Sequence, residues 1–195
     1  MTKHFLVILF IAVSLNSQTI SNLSYFNSFV DSSINLMTPH LENGDSLFLN
    51  YESESSQVYF LNRIQTLLSK KGLRLVFQPD KAGLYLNYRI EKSGVDYSQV
   101  FKKGFLEDYF IERKIDYAGT FSLQNRNKVL ETKQFNFTAK DTIDYNDVPG
   151  VENSQYKFTQ AEVPAEPFWE SILEPAVAVG AIILTVILLF TVRSK

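Results

Sequence analysis

Among 195 residues the chain has no cysteine, two histidines, one tryptophan, six prolines and eight glycines. Each shortage closes off a class of chemistry. Without cysteine there is no disulfide, no nucleophilic or redox thiol, no thiolate ligand for zinc, and no thiol behind an amino-terminal leader to carry a lipid. His4 falls inside such a leader, which leaves His40, beside Pro39, for any imidazole chemistry; with no partner nearby in sequence it reads as an exposed loop residue. There is no glycine-rich phosphate loop and no Gly-x-Ser-x-Gly nucleophile turn. Positive charge is also thin, with no cluster larger than Lys70-Lys71 or Lys102-Lys103. Leaving out Lys3, Arg193 and Lys195, 16 basic residues stand against 21 acidic ones, a balance of about −5. That excludes nucleic acid as a natural partner and gives no electrostatic hold on an anionic membrane surface.

Two uncharged apolar runs lie at the ends. Phe5 to Leu15, preceded by Lys3 and His4 and followed by Asn16-Ser17-Gln18, has the layout of a signal peptide over residues 1–17 with the cut after Ser17. Left uncut, it would make a membrane hairpin with the second run. That second run, Ala176 to Val192, has seventeen residues without a charge and reads as a transmembrane helix over 175–192, bounded by Pro175 and Arg193. Arg193 and Lys195 follow it while Glu170 and Glu174 precede it. The positive-inside rule then places the tail 193–195 in the cytoplasm and the bulk of the chain across the membrane. The absence of disulfides suits a bacterial periplasm, so the expected location is the inner membrane with a periplasmic domain. Phe168 and Trp169 belong at headgroup level, on a short interfacial helix whose acidic side is Glu166, Glu170 and Glu174. Gly180, with Ala176 four residues before it, would permit close packing against another helix.

Between these ends the pattern is α+β. Leu23, Phe26, Val30 and Met37 recur at helical spacing over about 20–37, and Val58, Leu61, Ile64 and Leu68 mark a second helix closed by Lys70, Lys71 and Gly72. Alternating segments at 45–51, 73–77, 84–90, 115–123 and 129–139 read as strands. In the last, Leu130 is out of phase with Phe135 and Phe137, which predicts a bulge or burial of both faces. The expected architecture is an exported domain at 18–140: a mostly antiparallel sheet with two amphipathic helices on one face, plus one C-terminal transmembrane helix. Residues 141–174, where Pro149, Gly150, Pro164 and Pro167 accumulate, read as a tether, with a docked strand open through Tyr156, Phe158 and Val163.

The helix at 59–68, leading through Lys71-Gly72 into Leu73-Arg-Leu-Val76, resembles a segment of three bacterial envelope groups. These are the curli secretion lipoprotein, the lipoprotein activators of penicillin-binding proteins, and the amino-terminal domain of the Tol-system propeller protein. The likeness continues in Ala82-Gly-Leu-Tyr-Leu-Asn-Tyr-Arg-Ile90 and in the strands at 116–123 and 128–137. It implies a non-catalytic module that binds other envelope proteins.

No residue set argues for catalysis, a cofactor or a metal. The acidic stretch Asp141, Asp144, Asp147 has Val148 and Pro149 where an EF-hand loop needs a ligand and a glycine. Glu107, Asp108 and Glu112 sit together on what reads as a charged loop. The expectation is a membrane-held interaction module of a cell-envelope complex, with no oligomeric state implied. The alternative is a small-ligand or cell-wall polysaccharide-binding domain offering Tyr85, Tyr97, Tyr109 and Tyr117 as stacking faces.

Overall fold

The computed structural model describes residues 19–53, 58–104, 107–126 and 128–193. The expected signal peptide and the tail residue Lys195 lie outside them. Helix α1, Asn22–Met37, starts where the Ser21 hydroxyl accepts the Ser24 amide and buries Phe26, Val30, Ile34 and Met37. Strand β1, Ser46–Ser53, leads to α2, Val58–Lys70, whose buried stripe is Phe60, Ile64 and Leu68. Val58, expected in that stripe, is exposed. Gly72 takes a positive φ of 84° after α2, and the chain enters β2, Arg74–Val76. Then come β3, Leu84–Lys102, β4, Tyr109–Asn125, and β5, Val129–Asp144.

The strand order is β2-β1-β3-β4-β5. The sheet is mixed, which corrects the mostly antiparallel expectation: β1 runs parallel to both neighbours, and only β3-β4 and β4-β5 are antiparallel. The cause is the α2 crossover, which returns the chain in the same direction on one side of β1 before β3 takes the other side. The two long hairpin strands absorb three irregularities. Glu91 and Gln99 are the extra residues on β3, and Gln99 has a φ of +43°. On β5 the pairs Leu123↔Glu131 and Gln124↔Val129 leave Leu130 as the extra residue, which resolves the phase conflict seen in the sequence.

The helix face of the sheet holds the core. Leu47, Leu86, Tyr88, Ile115, Tyr117, Phe121 and Phe135 meet α1 and α2 there. Much of this core is aromatic: Phe26, Phe60 and Tyr117 lie 5.3 to 6.4 Å apart by ring centroid, and Phe29 stacks on Phe137 at 5.8 Å. A chain of buried hydroxyls, Ser33 to Tyr88 at 2.6 Å and Tyr88 to Tyr117 at 3.0 Å, satisfies the phenols inside it.

Residues 141–163 do not hang free as the tether reading had it. β5 continues to Asp144, a turn and the short helix α3, Val148–Val151, follow, and the segment then folds back along the body. Val148 and Val151 join Tyr97, Ile111 and Ile143 in a second apolar cluster. The Phe158 ring enters the main core, 4.5 Å from Phe60 and 5.0 Å from Phe26. A coil rich in proline can be ordered in this way because its few large apolar side chains find a prepared aromatic pocket.

Helix α4 spans Phe168–Arg193, with Pro175 inside it and not at its start. The transmembrane helix expected over 175–192 is corrected. Among the described residues no helix is long and apolar enough to cross a membrane.

Gly119 sits where β4 crowds β3. A Cβ there would lie 2.1 Å from the Arg89 carbonyl oxygen and 2.8 Å from the Phe135 ring, whereas at Gly94 it would meet nothing within 4 Å. Gly119→Ala is expected to cost about 1–3 kcal/mol by overpacking against backbone, and Gly94→Ala almost nothing. Urea unfolding of the two variants followed by circular dichroism checks this, and equal losses would contradict the crowding argument.

Candidate functional site

On β4, the side chains of Ile111, Ile115 and Tyr117 face the helices, and Arg113 shares their phase. Its side chain is fully enclosed. A guanidinium there must find all its partners inside the protein, because no water is available to replace them. Asp141, opposite it on β5, accepts from Nε at 2.8 Å and from Nη2 at 2.5 Å. Nη1 donates to the Ile20 carbonyl at 2.9 Å and to Asn22 Oδ1 at 2.7 Å, and the Tyr25 ring lies 5.2 Å from the guanidinium carbon. Asn22 then donates from Nδ2 to the Tyr97 hydroxyl at 3.0 Å and to the Thr159 carbonyl at 2.8 Å. One cation thus joins α1, β4, β5, β3 and the returning segment. Burial pushes the Tyr97 phenol up to about 12 even with the Asn22 donor beside it.

Among the described residues no helix packs on the opposite face of the sheet. Its side chains are mainly polar and fixed to one another across the strands, with the aromatic pairs Phe48–Tyr85 and Phe101–Phe110 on the same face. Asn50 meets Asn87 at 3.1 Å, Arg89 meets Glu52 at 2.9 Å, Thr120 donates to Glu91 at 2.8 Å, and Ser122 lies 3.0 Å from Thr132. At its centre Asp116 receives Lys92 at 2.6 Å and Lys114 at 2.9 Å on one oxygen, and Thr138 at 2.7 Å on the other. Burial works against the charge on Asp116, yet these three donors outweigh it and hold the carboxyl well below the usual carboxylate range. A shallow cleft of about 440 Å³ beside it is bordered by Asp96, Glu112, Lys114 and Lys140. Their charges cancel, so it favours neither an anion nor a cation.

The residues singled out in the sequence fall elsewhere. Phe168 and Trp169 begin α4, Pro175 and Gly180 lie within it, and Arg193 is its last residue. A Cβ on Gly180 would meet nothing within 4 Å, so no neighbouring helix packs on it among the described residues. The proposed stacking tyrosines are mostly interior: Tyr117, Tyr97 and Tyr109 are buried, and the partly exposed Tyr85 donates to the Pro79 carbonyl. His40, expected to be without a partner, lies 3.3 Å from Glu131. Glu112 is on the open face of β4, apart from the loop that holds Glu107 and Asp108. In the acidic stretch, Asp141 is committed to Arg113, Asp144 accepts the Asn146 amide, and Asp147 accepts the Thr19 hydroxyl. Among the described residues no group of three or more His, Cys, Asp or Glu side chains is placed to hold a metal ion.

Arg113 was missed by the sequence reading, although a signal existed. Both it and Asp141 occupy positions in phase with the apolar side of their strands, where a charge must be paired.

No family model and no curated protein matches the chain. Solved structures show a partial likeness. A minor lipoprotein from Acinetobacter baumannii is 13% identical with a TM-score of 0.34, over 52% of this chain and 67% of its own. Rare lipoprotein B from Shewanella oneidensis is 12% identical with a TM-score of 0.33, over 50% and 68%. A putative neuraminyllactose-binding hemagglutinin homolog from Helicobacter pylori is 14% identical with a TM-score of 0.35, over 52% and 67%. The resemblance is therefore to bacterial envelope lipoproteins, and not specifically to the three groups suggested by the sequence. At these identities and TM-scores it is a partial likeness of fold and extends to no activity or partner.

Two outcomes follow from this geometry. Asp141→Ala strands a fully enclosed guanidinium and is expected to cost about 3–5 kcal/mol, more than Arg113→Met, which leaves a carboxylate with access to water; paired urea titrations read the difference. The depressed Asp116 carboxyl contributes stability that is present above the unfolded value of about 3.9 and is lost as pH falls toward its lower folded value. Asp116→Asn should therefore flatten the acid side of the stability profile between about pH 4 and 2 and leave the shape near pH 7 unchanged.

Proposed function

We propose that the protein is a non-catalytic docking module of a bacterial cell-envelope assembly and that the uncovered face of its sheet receives another envelope protein. The observation that carries this reading is the contrast between the two faces of one sheet. One is sealed by helices and aromatic rings, while the other is a broad, mainly polar surface whose polar side chains are already held in place by cross-strand bonds. Side chains fixed before contact lose little conformational entropy on docking, which favours a protein partner of matching polarity. The amino-terminal apolar segment and the absence of cysteine support an exported location. A small-molecule role gains no comparable support, because three of the four aromatic candidates are interior.

A photo-crosslinking residue placed at Asn87, on the open face, should give one discrete crosslinked species in cells. The same residue at Thr66, on the outer side of α2, should give none, and Ser122→Arg should abolish the Asn87 product. Equal products from both positions, or none from either, would overturn the reading.

A further inference from the structure

The two edges of the sheet are unlike. β2 is three residues long, whereas β5 has 16 and pairs only with β4 among the described residues. Beyond the bulge at Leu130 its pairing with β4 is unbroken from Glu131 to Asp144, so its outer side offers a long, regular row of backbone groups. Such an edge can accept one more strand, and the side chains decide which strand fits.

We infer that β5 is the interface of a homodimer in which two copies pair antiparallel through their β5 strands, making one continuous ten-stranded sheet. An antiparallel pair of identical strands has its dyad normal to the sheet, so both helix layers lie on one side and both open faces on the other. Facing residues must then share a phase, which leaves few registers. With Phe137 opposite its own copy, Lys133 of each chain stands opposite Asp141 of the other, giving two ion pairs. Gln134 meets Lys140, Asn136 meets Thr138, Thr132 meets Thr142, and no like charges oppose. Shifted by one phase-preserving step in one direction, Glu131 stands opposite Asp141. In the other, Asp141 faces Phe135 and Lys133 faces Ile143. Charge complementarity selects the first register.

Edge lysines ordinarily discourage strand addition. Here Lys133 is matched and Lys140 meets an amide. Phe137, already stacked on Phe29 and Phe135, would bring an aromatic pair to the dyad. The dimer doubles the open polar face without covering it, and it stands or falls independently of what that face binds.

The absence of native cysteine makes the register directly measurable. In the full chain, kept in a non-ionic detergent that shields the apolar surface of α4, the double variant Gln134→Cys/Lys140→Cys should oxidise to a disulfide-linked dimer. Gln134→Cys/Thr142→Cys, matched to the neighbouring register, should not. The three native side chains at these sites are exposed, so neither variant disturbs the core. Sedimentation should show a concentration-dependent dimer, and Lys133→Glu, which sets like charges opposite each other twice, should raise its dissociation constant by about tenfold with the circular-dichroism melt unchanged. A chain that stays monomeric, crosslinks equally in both registers, or dimerises as well with Lys133→Glu would overturn the assignment.

Discussion

The rest of the structure depends on the enclosure of Arg113. A guanidinium cannot lose its charge at accessible pH, and in a low-dielectric interior it must be met by a full set of acceptors. Asp141 on β5 supplies two, and the Ile20 carbonyl and Asn22, together at the start of α1, supply the others. That requirement fixes the start of α1 over the β4-β5 hairpin, and the position of α1 sets where Phe26, Val30 and Ile34 enter the core. Replacing such a network by apolar side chains is often neutral in free energy. Apolar contacts, however, have no direction, whereas five donors in a planar fork accept one arrangement of neighbours.

The same network explains why the segment after β5 is ordered. Asn22 is held by Arg113 through its oxygen, so its amide is left pointing at the Thr159 carbonyl and the Tyr97 hydroxyl. Thr159 in turn donates to the Asn153 and Tyr156 carbonyls, and the turn it closes places Phe158 against Phe60. Hydrogen bonds give the segment its register, and the Phe158 ring together with Val148 and Val151 gives it buried apolar area. The two contributions are complementary, since neither a lone phenylalanine nor an exposed threonine would order a coil containing Pro149, Pro164 and Pro167.

How much of this was legible follows from the range over which each constraint acts. The two amphipathic helices and the alternating strands are local, and Phe26, Ile64, Leu86 and Tyr117 can be placed from periodicity alone. The parallel placement of β1 between β2 and β3 is not local; it depends on which side of β1 each strand takes, and neither Leu47 nor Leu84 carries that information. Strand ends were read short for a related reason. Glu91 and Gln99 are bulge residues that shift the phase of β3, so a strand continuing to Lys102 looks in sequence like one that stops at Ile90. Arg113 and Asp141 were hidden by being charged, since a charge in a strand reads as surface until its phase is compared with that of Ile111 and Ile143. The open polar face was never a motif, because cross-strand pairs such as Asn50 with Asn87 join residues 37 positions apart.

The ordered segment also limits how the domain can work. A free coil from Asp141 to Pro167 would let it range some 30 Å from the start of α4. Instead, the chain is docked through Val163, and the Tyr145 hydroxyl donates to the Pro164 carbonyl. The Tyr109 hydroxyl reaches the Pro167 carbonyl at 3.5 Å, one residue before α4 begins. With so little slack, the body is held close to the helix that follows it. Under the docking role proposed above, the open face meets its partner with the body tied to the start of α4, and reach along the chain contributes little to it.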